Sequence, residues 1–340
     1  ERDRDIVAQV GAVQALSSAP SPLVSSMLTR TVLVDKYFFR VRTEAAQGLV
    51  NCATPALDQI GLFHLLKLFQ TRYCHAQPPD YEADGPLDML LVPRANDFSD
   101  LSEYFLRRAI IQAVSRVRDE HGQAPALVKR FLINVLRYND NSANKYSDEF
   151  YIASLITAIA FVLIPADNNA ASQPTSQELE ENALLLQAAV DEVERCRELD
   201  MLVPSFHNII SIAALDFHAA TMMANMKPVD YLIFFAYTRQ GNYAPLRIAA
   251  FNGLVLMRGL QHKIIARYLF AVLRSDESSV VKRALARAIL ESLAVAIACN
   301  EFGELKPRSS LYLEGDPAAA YQAETTRERD LEKKRFSALR

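Results

Sequence analysis

Apolar residues recur along most of this chain at spacings of three and four, the pattern of helices with one buried face. No segment alternates apolar and polar residues with the period of two that a half-buried strand requires. The sequence therefore predicts an all-α fold. The predicted helices span residues 3–18, 21–34, 36–51, 55–73, 99–117, 125–138, 147–164, 178–199, 204–224, 228–239, 243–257, 261–274 and 278–299.

The helical pattern is densest in residues 94–164, where three predicted helices each follow a polar cluster. The first is expected to start near Asp97 or Ser99, whose side-chain oxygens can cap free backbone N–H groups. The third begins near Ser147 and is almost wholly apolar over residues 151–164. That run is shorter than the ~20 residues of a membrane span, so we expect other helices to cover it on all sides.

A small motif repeats in four predicted helices: an apolar residue, a polar or basic one, then a small residue six positions later and an aliphatic one after it. The four are Ala8-Gln9…Ala15-Leu16, Val41-Arg42…Gly48-Leu49, Leu246-Arg247…Gly253-Leu254 and Val281-Lys282…Ala288-Ile289. Gln9 and Arg42 are 33 residues apart, and Arg247 and Lys282 are 35 apart.

Helix pairs with this period are typical of an α-solenoid, a stack of antiparallel helix pairs. The Asp…Val-Arg onset favours HEAT-like repeats over tetratricopeptide repeats, whose Trp/Gly/Tyr signature is absent. We find no copy of the motif between Arg42 and Arg247, so we expect that middle stretch to be specialised for partners as well as packing. The solenoid is predicted to occupy residues 1–300, with irregular insertions near 75–96 and 165–177. Residues 301–340 are predicted to form a loop and a charged C-terminal segment.

The composition is that of an ordinary globular protein, with 50% hydrophobic and 23% charged residues. The formal net charge of −3 argues against obligate nucleic-acid binding. The four cysteines are far apart and form no CxxC pair, which favours reduced thiols. The N-terminus is unlike a signal peptide, and Glu1 is not an initiator Met, so we expect a piece of a longer protein.

Enzymatic motifs are missing from the sequence. There is no HExxH zinc motif, no GxSxG nucleophile turn and no Gly-rich phosphate loop. None of the six histidines has a second histidine three or four residues away. We therefore expect no catalytic residue, no metal site and no cofactor.

Two sets of residues are candidates for binding a partner. The first lies in polar segments between predicted helices and comprises Asn96, Asp97, Phe98, Tyr138, Asn139, Asp140, Asn141, Tyr146 and Asp148. The same residues suit turns and helix caps, and both interpretations stay open. The second is a basic set that suits phosphates or an acidic subunit tail but also a solvated face: Arg258, Lys263, Arg267, Arg274, Arg283 and Arg287. For Arg42, Arg247 and Lys282 we favour a structural role, reaching a carboxylate or carbonyl of an adjacent repeat.

Several long segments resemble one family. NDFSDLSEYFLRRAI, YNDNSANKYSDEFYIASLI, FRVRTEAAQGLVNCAT and GNYAPLRIAAFNGLVLM are similar to the TBP-associated factor of TFIID that carries an aminopeptidase-like region. The resemblance covers roughly residues 35–290 and implies the HEAT-repeat portion of that subunit.

The resemblance implies a nuclear, non-enzymatic scaffold of the RNA polymerase II preinitiation complex. Its implied partners are other TFIID subunits, notably the tail of the histone-fold TBP-associated factor numbered eight and the largest TBP-associated factor. Promoter DNA is a possible partner through the complex, whereas a membrane or a small-molecule substrate is not expected. The alternatives are the C-terminal helical domain of an active M1 zinc aminopeptidase, which shapes a substrate chamber, and a transport solenoid that binds cargo.

Overall fold

The computed structural model describes residues 5–75, 92–165 and 176–299, and they form thirteen α-helices. These are α1 Ile6–Ser17, α2 Pro22–Leu33, α3 Phe39–Gly48, α4 Ile60–Tyr73, α5 Leu101–Ser115, α6 Ala126–Arg137, α7 Glu149–Leu163, α8 Ser176–Leu202, α9 Ile209–Met223, α10 Leu232–Phe235, α11 Ala244–Leu256, α12 Lys263–Ser275 and α13 Ser279–Ala298. Within the described ranges, extended backbone pairs only at one antiparallel bridge, between Cys74 and Pro93. The all-α prediction is confirmed. Most of the two predicted insertions and all of residues 301–340 lie outside the described residues.

The helices pack in two rows. In one row α1, α3, α5, α7, α9 and α11 lie against one another in succession. In the other, α2 packs on α4, and α6 packs on α8. Each helix of the second row also packs on the helix that follows it in sequence, as α2 does on α3 and α6 on α7. This succession of helix pairs is an α-solenoid, and it forms one compact unit up to Ile289. The second unit starts at Leu290, and its described residues are the last turns of α13.

Polar residues cap several helices at their N-termini. Asp5 accepts a hydrogen bond from the Val7 N–H at the start of α1, and Ser21 accepts one from Val24 in α2. In α5 the cap is Asp100, which accepts from the N–H groups of Ser102 and Glu103. The expectation of Asp97 or Ser99 was therefore wrong by one to three residues, because three cap-forming residues lie within four positions and each can start a helix of the same period.

The small residue of the repeat motif allows close helix contact at two of its copies. A Cβ atom at Gly48 would lie 2.9 Å from the Cβ of Ser17, so α3 approaches α1 closely at this point. At Gly253 it would lie 2.2 Å from Cε1 of Phe234, a buried ring of α10. Gly48 therefore sets a distance between adjacent layers, and Gly253 sets the distance between the two helices of one pair.

Four predicted helices differ clearly from the structure. The helix expected from residue 55 begins at Ile60, because Asp58 and Gln59 adopt left-handed backbone φ angles of +49° and +55°. The helix expected from residue 204 begins at Ile209, because His207 and Asn208 adopt left-handed backbone angles of +57° and +53°. The helix expected at 228–239 is only the single turn of α10. Helix α7 is not covered on all sides, since Phe150 and Phe161 are each 52% exposed.

Candidate partner-binding surface

The polar loop between α6 and α7 is organised around Asp148, the residue before the first turn of α7. Its carboxylate accepts hydrogen bonds from Asn139 Nδ2 at 2.7 Å and from Asn96 Nδ2 at 3.2 Å. Asn96 lies before α5, so this carboxylate joins the two predicted partner-binding segments. Asn144 adds a second link by donating from Nδ2 to the carbonyl oxygen of Asn96.

Burial raises the pKa of Asp148, while the two amide donors and the positive charge of Arg107 oppose that rise. Arg107 is itself 3% exposed. It donates from Nη1 to the Arg94 carbonyl oxygen at 2.8 Å and from Nε to the Tyr151 hydroxyl at 2.9 Å. Its guanidinium also lies 4.7 Å from the centroid of the Tyr151 ring, a cation–π contact. Asp148 and Arg107 thus form a buried polar centre beneath the loop.

The nine predicted residues divide into buried, half-buried and exposed groups, and Phe98 is one of the half-buried residues. Asn96 and Asp148 are buried, at 2% and 6%, so they hold the loop from within and cannot contact a partner directly. Asn139 and Asn141 are half-buried, and Asn141 Nδ2 donates to the Tyr146 carbonyl oxygen at 2.7 Å. The residues that a partner can reach at the surface are Asp97, Tyr138, Asp140 and Tyr146.

An aromatic cluster supports this surface. The half-buried Phe98 ring lies 5.3 Å from the Tyr104 ring and 5.9 Å, edge to face, from the Tyr146 ring. Tyr146 is 59% exposed and Lys145 Nζ lies 5.8 Å from its ring. Two nearby aspartates make local turns: Asp97 accepts from the Ser99 N–H at 2.8 Å, and Asp140 accepts from the Ser142 N–H at 2.9 Å. Packing against Phe98 therefore holds the exposed Tyr146 ring in place at the surface.

A cleft of about 270 Å³, called the loop cleft below, adjoins the polar loop. It is lined on one side by Asn139 and Asp148 and on the other by Arg195, Asp200 and Leu199 of α8. It joins the predicted binding loop to the next helix pair, a connection that sequence spacing did not reveal.

Arg42 of the repeat motif is structural, as predicted. Its side chain is buried, donates from Nε to the Val32 carbonyl oxygen at 2.9 Å, and reaches Glu103 of α5 at 2.7 Å. Arg42 therefore caps the C-terminal end of α2 and links it to α5 in the next layer of helices.

Arg247 repeats this arrangement in α11. It donates from Nε to the Thr238 carbonyl oxygen at 3.1 Å, and its two other nitrogens bind the carboxylate of Asp276. That contact, with the N–H of Ser278, lowers the pKa of Asp276 although burial opposes the change. Lys282, at the same position of the motif, contributes by charge to the low pKa of Asp276.

Arg107 is a further copy that the sequence analysis missed. Leu106-Arg107 is followed by Ala113-Val114, which satisfies the same spacing rule, so the motif does not vanish between Arg42 and Arg247. Arg107 again reaches a carbonyl of the preceding segment, but in the next layer it meets a tyrosine hydroxyl instead of a carboxylate. The middle of the solenoid is therefore a variant of the repeat.

The six predicted basic residues are all exposed. Lys263, Arg267 and Arg274 share one face of α12 because they are four and seven residues apart. Arg283 and Arg287 lie one turn apart on α13, and Arg258 precedes a short 3-10 helix, Gly259–Gln261.

The titratable groups of the described ranges contain no cluster of three or more His, Cys, Asp or Glu able to hold a metal ion. The buried His218 pairs instead with Glu194, with 2.7 Å between Nε2 and Oε1, and its Nδ1 lies 3.1 Å from Lys227 Nζ. Burial alone would raise the pKa of Glu194, but hydrogen bonds from His218 and Arg197 lower it to about 2. The described helices are also too short or too polar to cross a membrane.

The fold and these contacts define a class: an α-solenoid whose buried arginines join successive layers and which presents a rigid loop and aromatic surface. The chain belongs to the family of TAF2-like TPR repeats, whose sequence model matches residues 1–301. The family description names the repeats TPR, whereas the sequence pattern favoured HEAT-like repeats; both are stacks of helix pairs.

Individual relatives agree with this membership. The protein named transcription initiation factor TFIID subunit 2 in Schizosaccharomyces pombe is 32% identical over 302 residues, which cover 86% of this chain and 24% of that protein. The Drosophila melanogaster protein of the same name is 29% identical over 85% of this chain and 23% of its own length. The Saccharomyces cerevisiae protein is 32% identical over 48% of this chain and 11% of its own length. The chain thus spans about a quarter or less of these relatives.

Proposed function

We propose that this chain is a non-enzymatic scaffold segment of TFIID that docks other TBP-associated factors and supports core-promoter recognition in the nucleus. The names of its relatives support membership of that complex. The observation that carries the docking role is the fixed polar loop, in which the buried Asp148 carboxylate joins Asn96 and Asn139 beneath exposed tyrosines. Binding residues are often held on loops by a rigid scaffold in this way.

The proposed partners are the tail of the histone-fold TBP-associated factor numbered eight and the largest TBP-associated factor. Exposed aromatic residues such as Tyr146 and Tyr138 are favourable anchors, because tyrosine buries a large area at little cost in side-chain entropy.

Cross-linking mass spectrometry on the assembled complex tests this proposal. We expect cross-links from Lys145, beside the exposed Tyr146, to other subunits. Tyr146→Glu together with Asp140→Arg should weaken co-purification of those subunits. Ile264→Glu, at an 82% exposed residue of α12, is the control and should leave co-purification unchanged. Cross-links confined to this chain, together with normal co-purification of the loop variant, would refute docking at the loop.

Direct contact with promoter DNA is a second proposal, based on the exposure of all six basic residues. If they bind phosphates, the fragment should shift duplex DNA at low salt, and the shift should weaken steeply as salt rises. Reversing the charge of both Arg267 and Arg283 should abolish it. Absence of any shift at low salt would restrict DNA recognition to other parts of the complex.

A further inference from the structure

A second concave surface lies on the opposite side of α7 from the loop cleft and was not predicted from the sequence. It is an open groove of about 560 Å³ between α5 and α7, called the α5–α7 groove below. Helix α5 contributes Arg108, Gln112 and Arg116, and α7 contributes Phe150, Thr157 and Phe161.

The α7 wall of the groove combines two large rings with a small-residue floor. Phe150 and Phe161 are 11 residues apart, which is three helical turns or about 16 Å, so they lie on the same face. Both are half-exposed, although large aromatic rings are normally buried. Between them the wall carries Ala153, Ser154 and Thr157. The result is a trough whose ends are bulky and whose middle can receive the side chains of a docked helix.

The α5 wall is positively charged. Arg108 and Arg116 are two turns apart, and no Asp or Glu lines the groove. Neither arginine has a carboxylate of the described residues within 4 Å, unlike Arg42 and Arg247. Arg116 donates from Nη1 only to the neutral Gln47 amide oxygen, at 3.1 Å. Arg108 is half-buried and Arg116 is exposed. Because no carboxylate of the described residues neutralises either charge at contact distance, this wall attracts a ligand carboxylate.

Contacts within the chain hold the far end of the groove in place. Arg118 donates from Nη2 to the Phe161 carbonyl oxygen at 3.1 Å, and its guanidinium lies 4.5 Å from the Phe161 ring centroid. It also donates from Nη1 to the Ser115 carbonyl oxygen at 2.7 Å, which ties α5 to the end of α7. A groove fixed in this way loses little conformational entropy when a ligand binds.

We propose that the α5–α7 groove binds an acidic amphipathic helix from a partner protein, with carboxylates on Arg108 and Arg116 and apolar side chains between Phe150 and Phe161. The two arginines favour a ligand helix that has an acidic face. The distance between the two phenylalanine rings matches three turns of the apolar face of that helix. This inference rests on the proposed docking function and adds a site and a partner chemistry to it.

A synthetic peptide can test the groove with the full chain, which contains no Trp. The probe is a helical peptide of about 14 residues with Glu at two positions eight apart, Leu on the adjoining face and a single Trp among the leucines. Binding moves the Trp into an apolar environment, and its emission shifts to shorter wavelength without any protein background. A second peptide with Gln in place of Glu measures the contribution of charge.

Two groove variants and one matched control decide the outcome. Arg108→Glu with Arg116→Glu should weaken binding at least about tenfold, and Thr157→Tyr, at an exposed position, should weaken it by filling the trough. Arg30→Glu with Lys67→Glu, at exposed positions of α2 and α4, changes the net charge equally but lies outside the groove, so it should leave the affinity unchanged. Circular dichroism of each variant verifies the fold. Equal loss in the control, equal affinity of the Gln peptide, or no emission shift with the unaltered chain would each overturn the proposal.

Co-purification of the same variants with TFIID subunits separates this inference from the proposed function. If the unaltered chain and the groove variants co-purify equally, the scaffold role stands and the groove proposal fails. If the unaltered chain captures no subunit, the proposed function fails, whatever the peptide does. Reduced capture by the groove variants alone supports both.

Discussion

The ion pair between Arg247 and Asp276 gives the sharpest quantitative prediction. Both side chains are almost fully buried, at 5% and 4% exposure, and no water can replace either partner. Arg247→Met keeps most of the aliphatic volume but leaves the Asp276 carboxylate with the Ser278 N–H as its remaining strong donor. Breaking a buried pair by removing one partner typically costs 3–5 kcal/mol. We expect about 3 kcal/mol, the lower end, because Lys282 also lies near Asp276.

Urea unfolding followed by circular dichroism at 222 nm measures this loss, and hydrogen exchange in α11 and α12 shows whether it is local. The exposed Arg239→Met is the control and should change stability by less than about 0.5 kcal/mol. Arg247→Met combined with Asp276→Asn should cost less than the sum of the single variants, because neither charge is then left buried alone. A loss below about 1 kcal/mol for Arg247→Met, the level of an exposed pair, would refute the reasoning.

Three further predictions concern packing, pH and thiol reactivity. Gly61→Ala should destabilise the chain by several kcal/mol, because its Cβ would lie 2.1 Å from a backbone oxygen. The control is Gly11→Ala, which has open space around it and should be neutral or stabilise the chain by up to about 1 kcal/mol in the same urea assay. The folded-state pKa of Glu194 is lowered from 4.5 to about 2. Ionised Glu194 therefore stabilises the fold fully above pH 4.5, and this contribution is lost as the pH falls towards 2. In the Glu194→Gln variant, the free energy of unfolding should change less with pH over that acid range. Native protein should react with DTNB at Cys299 alone, because the other three thiols are buried. In urea all four thiols should react. Reaction of a second thiol in native protein at a rate similar to that of Cys299 would contradict the packing.

The sequence predicted the helices well because their apolar period reflects burial, which dominates packing in a solenoid. It misplaced the start of α5 because Asp97, Ser99 and Asp100 are equally good caps, and only contacts in three dimensions select Asp100. It also placed the start of α9 five residues too early. There the backbone turns at His207, next to Phe206, whose N–H binds Glu149 of a distant helix.

The candidate surface was predicted only in part. Polar composition indicated the loop between α6 and α7, but composition does not distinguish residues that hold a loop, such as Asp148, from residues that face a partner, such as Tyr146. The α5–α7 groove was missed because its exposed rings sit in an almost wholly apolar segment, where exposure of Phe150 and Phe161 leaves no trace in the sequence. The motif around Arg107 was readable from spacing alone and was overlooked.

The buried arginines also limit how such a chain can change length in evolution. Each of Arg42 and Arg247 needs a carbonyl from the segment before its own helix and a carboxylate from the layer after it. Removing one helix would leave a buried guanidinium facing the wrong neighbour, whereas removing a whole pair moves an equivalent neighbour into register. We therefore expect insertions and deletions to accumulate in connecting segments or to occur as whole repeats, because only these changes leave each buried arginine next to an equivalent carbonyl and carboxylate.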